Sequence, residues 1–298
     1  MSLFDRLVDQ VLRDRMALNP LAMVVEKELL HHDILREMSG AGLLEKLTFI
    51  GGTCLRMCYG SNRLSEDLEF TGGEGFNRDS LSSLATLLKV KLRTKYGLVV
   101  DVSEPARETG NVDTWKLKMV TRPEQKGAPA QRINVDICAV PSYDKRPMTL
   151  QNHYAVDMGT SGLILQAESR EELLADKLVA VALRSGRIKN RDLWDIVWLK
   201  QQGIAMPLEL LQNKIADYRH TVDSFVKILS VRREILTNDD SVRSTFEQEM
   251  KRFLPISIVV ETIENKFFWP YASHLIVAEC DQVLGFLSGK VQTPLFKM

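Results

Sequence analysis

The sequence predicts an α+β fold in which a strand-and-helix region over residues 1–160 precedes an almost wholly helical region over 161–298. Three observations carry this reading. Apolar and polar residues alternate over 98–104, 114–122 and 132–140, the period of half-buried strands. After Ser169 apolar residues recur at three- and four-residue spacing for most of the remaining chain, the period of helices. Ahead of both lies the stretch GGTCLRMCYGSNRLSEDLEF, from Gly51 to Phe70, where a glycine turn joins a short apolar strand to a helix and the chain returns as a second strand.

In order along the chain, residues 3–38 read as two amphipathic helices parted near Asn19-Pro20 and stopped near Ser39-Gly40. A strand at 46–50, a helix at 53–59 and a strand at 66–71 follow. Asp79-Ser80 opens a helix that runs to Tyr96 and ends at Gly97. Then come the three alternating strands. In the last, Ile133, Val135 and Ile137 share one face, and Asn134, Asp136 and Cys138 share the other. The segment RPEQKGAPAQ before it has the Pro, Gly and polar content of a hairpin loop. A short apolar run, Leu163 to Ala167, precedes Ser169 and Glu172, which have capping-box spacing at the start of the first late helix.

Bulk properties narrow the function classes. A chain of 298 residues with 45% hydrophobic and 26% charged residues can bury a substantial core and reads as globular. Lys plus Arg and Asp plus Glu both total 39, so no whole-molecule charge signals nucleic acid, although a local basic groove is compatible with it. No apolar run reaches the roughly 20 residues that span a bilayer, and the acid-interleaved N-terminus is unlike a secretory signal. A cytoplasmic protein is the simplest expectation. Cys54, Cys58, Cys138 and Cys280 lack zinc-site spacing and read as core thiols. The histidines receive no role.

The chemistry concentrates in the glycine-turn stretch. Asp67 and Glu69 lie two apart on a strand and so project to one side, opposite Leu68 and Phe70. Paired carboxylates on rigid backbone repel unless a cation joins them, and hard oxygen donors suit Mg²⁺ together with substrate phosphates. The Gly51-Gly52-Thr53 turn at a helix N-terminus supplies outward backbone N–H groups for phosphate. Asp136, on the polar face of its strand, is the third acid such a site requires, provided that its strand neighbours the acid pair. Its structural alternative is pairing with Lys116 or Lys118. Arg56 and Arg63 bracket the turn's helix, suited either to phosphate or to holding Asp67 or Glu66.

Later positions are more ambiguous from spacing alone. Lys177 shares a helical face with Leu173, Leu174 and Val181 and has no acid three or four positions away, so it either snorkels to water or meets an anion. Asp192 and Asp195 share a face of the next helix. Asp195 is spaced to pair with Arg191, and Asp192 suits the helix dipole. Arg184, Arg187, Lys189 and Arg191 form a basic stretch, equally suited to lining a triphosphate or RNA backbone and to a solvated turn. Trp194 and Trp198 read as core.

Taken together, GGTCLRMCYGSNRLSEDLEF, then NVDI, then ESREELLADKLVAVALRSGRIKNRDLWDI resemble the AbiEii toxin family of the nucleotidyltransferase superfamily, a family that includes the mycobacterial MenT toxins. The resemblance implies a polymerase-β-like domain with a mixed sheet plus a helical lobe, with a nucleoside triphosphate (NTP) as substrate and two Mg²⁺ ions. Gly51, Gly52 and Thr53 would cradle phosphates, aided by Arg63. Asp67, Glu69 and Asp136 would hold metal, with Asp136 orienting or activating the attacking hydroxyl. Lys177 would meet the triphosphate, and Lys189, Arg191, Asp192 and Asp195 match the late motif in which the family places a functional aspartate. Two positions depart from the pattern: Thr53 stands where serine is commoner, and Glu69, where a second aspartate is usual, lengthens one metal ligand. The expected partners are an RNA acceptor, the tRNA 3′ end above all, and a cognate antitoxin protein, with no membrane. Nucleotide transfer to a protein or small molecule is the second reading. A nucleotide-binding regulator without turnover is the third, opposed by the retained Asp136.

Overall fold

The computed structural model describes residues 2–105, 111–122 and 130–289. The chain divides into two compact units. The first holds the described residues up to Ser169 together with Phe253–Ile256; the second holds Arg170–Arg252 and the described residues from Ser257 onward.

The first unit is built on a seven-stranded sheet. Its strands are β1 (Thr48–Ile50), β2 (Leu68–Thr71), β3 (Val99–Ser103), β4 (Val112–Val120), β5 (Gln131–Cys138), β6 (Lys145–Thr149) and β7 (Ile164–Glu168), ordered β3-β4-β5-β2-β1-β7-β6. The sheet is mixed: β2 runs parallel to β5 and β1 parallel to β7, while β1–β2, β3–β4, β4–β5 and β6–β7 are antiparallel. Alternation in the sequence decides its two faces. Trp115, Leu117 and Met119 of β4, Ile133, Val135 and Ile137 of β5, and Leu68 and Phe70 of β2 are all buried. Each such aliphatic side chain withdrawn from water contributes roughly 1.5–3 kcal/mol. Helices α2 (Ala22–Gly40) and α4 (Leu84–Tyr96) pack against this sheet, α2 on β5 and α4 on β3. The opposite face carries polar side chains of the same strands.

The two expected N-terminal helices are α1 (Leu3–Asp14) and α2, separated by a short 3-10 segment, Met16–Leu21, that contains Pro20. α2 is buried on several sides and its polar residues are paired inside. Glu28 accepts from Arg56 at 3.1 Å, and Asp33 meets Lys95 and the Tyr96 hydroxyl, each at 2.6 Å. The expected helix from Asp79 is divided: a 3-10 turn, Arg78–Leu81, precedes α4. β6 was not legible as a strand. It is an edge strand of mostly exposed Lys, Arg, Pro, Met and Thr, so it shows no apolar alternation, and the edge tolerates Pro147. The expected hairpin loop of 122–131 falls on 123–129, outside the described residues.

The second unit is helical among its described residues: α5 (Arg170–Leu183), α6 (Asn190–Gln201), α7 (Leu208–Asp217), α8 (Val222–Asn238), α9 (Asp240–Met250), α10 (Ile256–Glu261) and α11 (Phe268–Leu287). Trp194 and Trp198 are buried as core side chains, Trp194 with its ring 5.7 Å from that of Phe268. Glu172, the expected capping partner, is fully buried and lies 2.5 Å from Lys214 Nζ.

Candidate active site

The site in the first unit is assembled where β1 gives way to α3 (Gly51–Tyr59). Gly51 has φ +76°, and a Cβ there would overlap the Glu69 carboxylate, so both backbone conformation and close approach require glycine. Gly52 is likewise approached by the Arg63 guanidinium. The N-terminus of α3 has no side-chain cap. Its Gly52 N–H donates to Glu69 Oε2 at 3.2 Å, which shows the turn already engaging an anionic oxygen.

Thr53 is fully buried and turned inward. Its hydroxyl donates to the Asp67 carbonyl and lies 2.7 Å from the Ser65 hydroxyl. The Thr53 side chain therefore ties the glycine turn to the acid-bearing segment; any contact it makes with phosphate is through its backbone. Neither Ser65 nor this tie could be read from sequence, since nothing in the spacing of a lone serine signals it.

Asp67 immediately precedes β2, Glu69 lies within it, and Asp136 lies in β5. Because β2 and β5 are parallel with Glu69 opposite Asp136, these two side chains leave the same face, and Asp67 shares that face by the two-residue period. Asp136 is half-buried and stands beside Thr114 of β4, so neither Lys116 nor Lys118 is its cross-strand neighbour. The Asp67 Oδ1 accepts from the Asn134 N–H at 2.9 Å. Burial raises the Asp67 pKa above the ordinary carboxylate value; the Asn134 N–H opposes the rise, and the negative charges of Glu69 and Glu66 add to it.

Among the described residues, no three His, Cys, Asp and Glu side chains converge into a preformed ion-binding group. The expected meeting of three carboxylates is thus realised as a common face, with Asp67 and Glu69 each drawn to a backbone N–H. Each leaves one oxygen, Asp67 Oδ2 and Glu69 Oε1, without a hydrogen bond among the described residues. Hard, mutually repelling oxygen donors of this kind fit a Mg²⁺ ion.

The arginines differ in what they hold. Arg56 is buried, its Nε 3.1 Å from Glu28 Oε1 and its Nη1 donating to the Ser61 carbonyl at 2.8 Å, so it braces α2 against α3 and not the acid pair. Arg63 is buried beside Gly52 and donates to the Leu64 carbonyl at 3.0 Å. Glu66 lies 2.7 Å from Lys27, a contact between residues 39 apart that no local spacing foretells.

The late motif forms its own cluster in the second unit. Lys177 is buried, with Nζ 3.0 Å from Asp192 Oδ1 and 2.9 Å from Asp195 Oδ2. Its partners lie on the next helix, so of the two alternatives, snorkelling to water or meeting an anion, Lys177 meets carboxylates. Asp195 meets Lys177, and Arg191 lies 3.5 Å from Glu249, so each has a partner distant in sequence that spacing on α6 does not foretell. Asn190 also donates to Glu249, at 3.0 Å. Burial alone would raise the Asp192 pKa, but Lys177, Arg184 and Lys189 outweigh it and hold the carboxyl below its ordinary value. Lys189 is the N-cap residue immediately before α6.

Comparison with known proteins agrees with this architecture. The family model described as nucleotidyl transferase AbiEii toxin, type IV toxin–antitoxin system, matches residues 33–264. MenT4, a nucleotidyltransferase toxin of Mycobacterium tuberculosis, is similar in fold with a TM-score of 0.52 at 14% identity, over 94% of this chain and 98% of that one. A Helicobacter pylori structure described as a nucleotidyltransferase has a TM-score of 0.50 at 16% identity, over 94% of this chain and 99% of its own. No protein of curated function matches the sequence. Among the described residues no helix is long and apolar enough to cross a membrane. With the family model covering well over half of its length, the chain belongs to the AbiEii family of nucleotidyltransferase toxins of type IV toxin–antitoxin systems.

Proposed function

We propose that this nucleotidyltransferase uses Mg²⁺ and an NTP to add nucleotide to an RNA acceptor, the tRNA 3′ end, and so blocks translation in the cytoplasm until its cognate antitoxin intervenes. The observation that carries the reading is the shared face of Asp67, Glu69 and Asp136 beside the Gly51-Gly52 turn. The N-terminal N–H groups of α3 and Arg63 receive the β- and γ-phosphates. Asp67 and Glu69 hold the metal, with Asp136 as third ligand; when bound, the ions offset the charge that builds on the α-phosphoryl oxygens. Asp136 takes the proton of the acceptor hydroxyl as its oxygen bonds to the α-phosphorus. The bond from the α-phosphorus to the bridging oxygen breaks, and pyrophosphate carries that electron pair away. Most of the acceleration on this reading is positioning and preorganised electrostatics.

In the proposed late-motif role, Lys177, Lys189, Arg191, Asp192 and Asp195 serve the nucleotide. Two of them, Asp192 and Asp195, also hold Lys177 in place. The test is incubation of the purified protein with each labelled NTP, Mg²⁺ and total tRNA. Label enters tRNA with wild type, and Asp67→Ala and Asp136→Ala each reduce this by at least about 10²-fold. Label entering protein or a small metabolite with none in tRNA overturns the RNA reading. Tight NTP binding without transfer to any acceptor overturns the catalytic one.

A further inference from the structure

The polar face of the sheet does not end at the acids. Asp67 and Asn134 form one wall of a cleft of about 580 Å³ that extends across β5, β4 and β3, and Lys116, Lys118 and Arg132 line it. Strand register fixes their arrangement. Lys116 stands between Asn134 and Ser103, and Lys118 stands between Arg132 and Asp101. All three cations are exposed, and among the described residues their side chains make no hydrogen bond or ion pair. Asp101 is the acid nearest in register to Lys118, and Lys27, also at the cleft, is already paired with Glu66. Elsewhere Lys27, Arg56, Lys95, Lys177 and Lys214 each meet a carboxylate; here three cations are grouped on rigid strands without one.

Position decides what they serve. The glycine turn lies at the end of β1, and the order β4-β5-β2-β1 puts the acids of β5 and β2 between that turn and the cationic strands. An in-line displacement requires the attacking oxygen and the departing pyrophosphate on opposite sides of the α-phosphorus. With the triphosphate tail at the glycine turn, the acceptor must approach from the β5 side, where the cleft opens. Lys116 and Lys118 are two residues apart, about 6.8 Å along a strand, a step comparable with that between successive phosphates of an extended nucleic acid.

We infer that this cleft holds the phosphodiester backbone of a single-stranded RNA acceptor just upstream of its reacting 3′ hydroxyl, through Lys116, Lys118 and Arg132. This rests on the function proposed above and names where its acceptor binds. Among the described residues no aromatic side chain lines the cleft, so the contact is to phosphate and tolerates any base sequence.

The experiment titrates a fluorescein-labelled single-stranded RNA with a free 3′ hydroxyl into the intact protein between about 50 and 200 mM salt. Wild type is compared with the triple variant Lys116→Ala/Lys118→Ala/Arg132→Ala and with Lys116→Arg/Lys118→Arg. The triple variant is expected to bind RNA at least about tenfold more weakly. Its slope of log affinity against log salt should shrink by about 0.7 for each phosphate no longer neutralised, so by about 2. The arginine variant should keep both, and the affinity of labelled ATP and GTP with Mg²⁺ should stay within about twofold throughout. Unchanged RNA binding in the triple variant overturns the inference. So does an equal fall in NTP affinity, which would make the cleft a triphosphate site. If wild type transfers label to tRNA and the triple variant does so with the same KM, the inference fails while the function stands. If wild type transfers none but RNA binding still depends on the three cations, the groove stands and the transfer reading fails.

Discussion

Two of the places where carboxylates gather among the described residues are treated by the protein in opposite ways. In the second unit Asp192 and Asp195 close on the Lys177 ammonium, and Asp192 is held below its ordinary pKa despite complete burial. In the first unit Asp67 and Glu69 each accept, among the described residues, one backbone N–H, and burial pushes Asp67 above its ordinary pKa. The difference is one of compensation. The first cluster answers its own charge within the chain; the second leaves charge partly unanswered, which is the condition for recruiting a cation from solution.

The largest expected effect on stability follows from the compensated cluster. Lys177→Ala removes the buried ammonium that both carboxylates share and should cost about 3–5 kcal/mol in urea unfolding. Because Lys177 holds two buried carboxylates, loss of NTP binding in that variant would not separate a nucleotide contact from a contribution to the fold. A triple variant, Lys177→Met/Asp192→Leu/Asp195→Leu, should recover most of the loss, because it removes the charges along with their partner. The acid side of the pH profile checks the same cluster. With its pKa depressed, Asp192 contributes stability that is present above the ordinary value of 3.8 and is lost as pH falls through the lower folded value. Asp192→Asn should therefore flatten the acid limb. A Lys177→Ala cost below about 1 kcal/mol would remove the basis for the contrast.

The uncompensated pair should respond with the opposite sign. A raised pKa means that the contribution of Asp67 is present below 3.8 and lost as pH rises through its higher folded value. Without divalent ions, Asp67→Asn should be at least as stable as wild type at pH 7, with the difference growing as pH rises from 3.8 and then levelling. Saturating Mg²⁺ should reverse the order by stabilising wild type alone, by about 1–3 kcal/mol when the ion is well above its dissociation constant. Thermal unfolding of wild type, Asp67→Asn and Glu69→Gln with and without MgCl₂ measures this. Equal Mg²⁺ stabilisation of all three would mean that the ion binds elsewhere.

What the sequence disclosed follows the range of the interactions. Asp67 and Glu69 were legible because period two is a local property. The polar face of Asp136 was legible because Ile133, Val135 and Ile137 claim the other side. Their juxtaposition needed the parallel register of Glu69 with Asp136, which joins residues 67 apart and leaves no local trace. The same applies to Lys177 with Asp192 and Asp195, to Arg191 with Glu249, and to Arg56 with Glu28. Helical spacing speaks only of partners three or four residues away, and Glu249 lies 58 residues from Arg191. β6 escaped for a different reason: an edge strand with little to bury has no pattern to read.

The smallest effect concerns how the uncompensated acids are held still. Thr53 anchors α3 to the segment carrying Asp67 through a single hydroxyl, at a position where serine is the commoner residue of the resembling family. Thr53→Ser keeps the hydroxyl and removes one buried methyl, which should cost about 1 kcal/mol and leave the rate of nucleotide transfer close to wild type. Thr53→Val keeps the volume and removes the donor, leaving the Asp67 carbonyl and the Ser65 hydroxyl short of a partner. That should cost about 1–3 kcal/mol. If the hydroxyl positions Asp67 relative to the glycine turn, Thr53→Val should also lower kcat more than it raises the KM for NTP, at temperatures where both variants are fully folded. A valine variant with wild-type kcat would reduce the Thr53 tie to a contribution to stability, and the Asn134 N–H would then be the hydrogen bond that places Asp67.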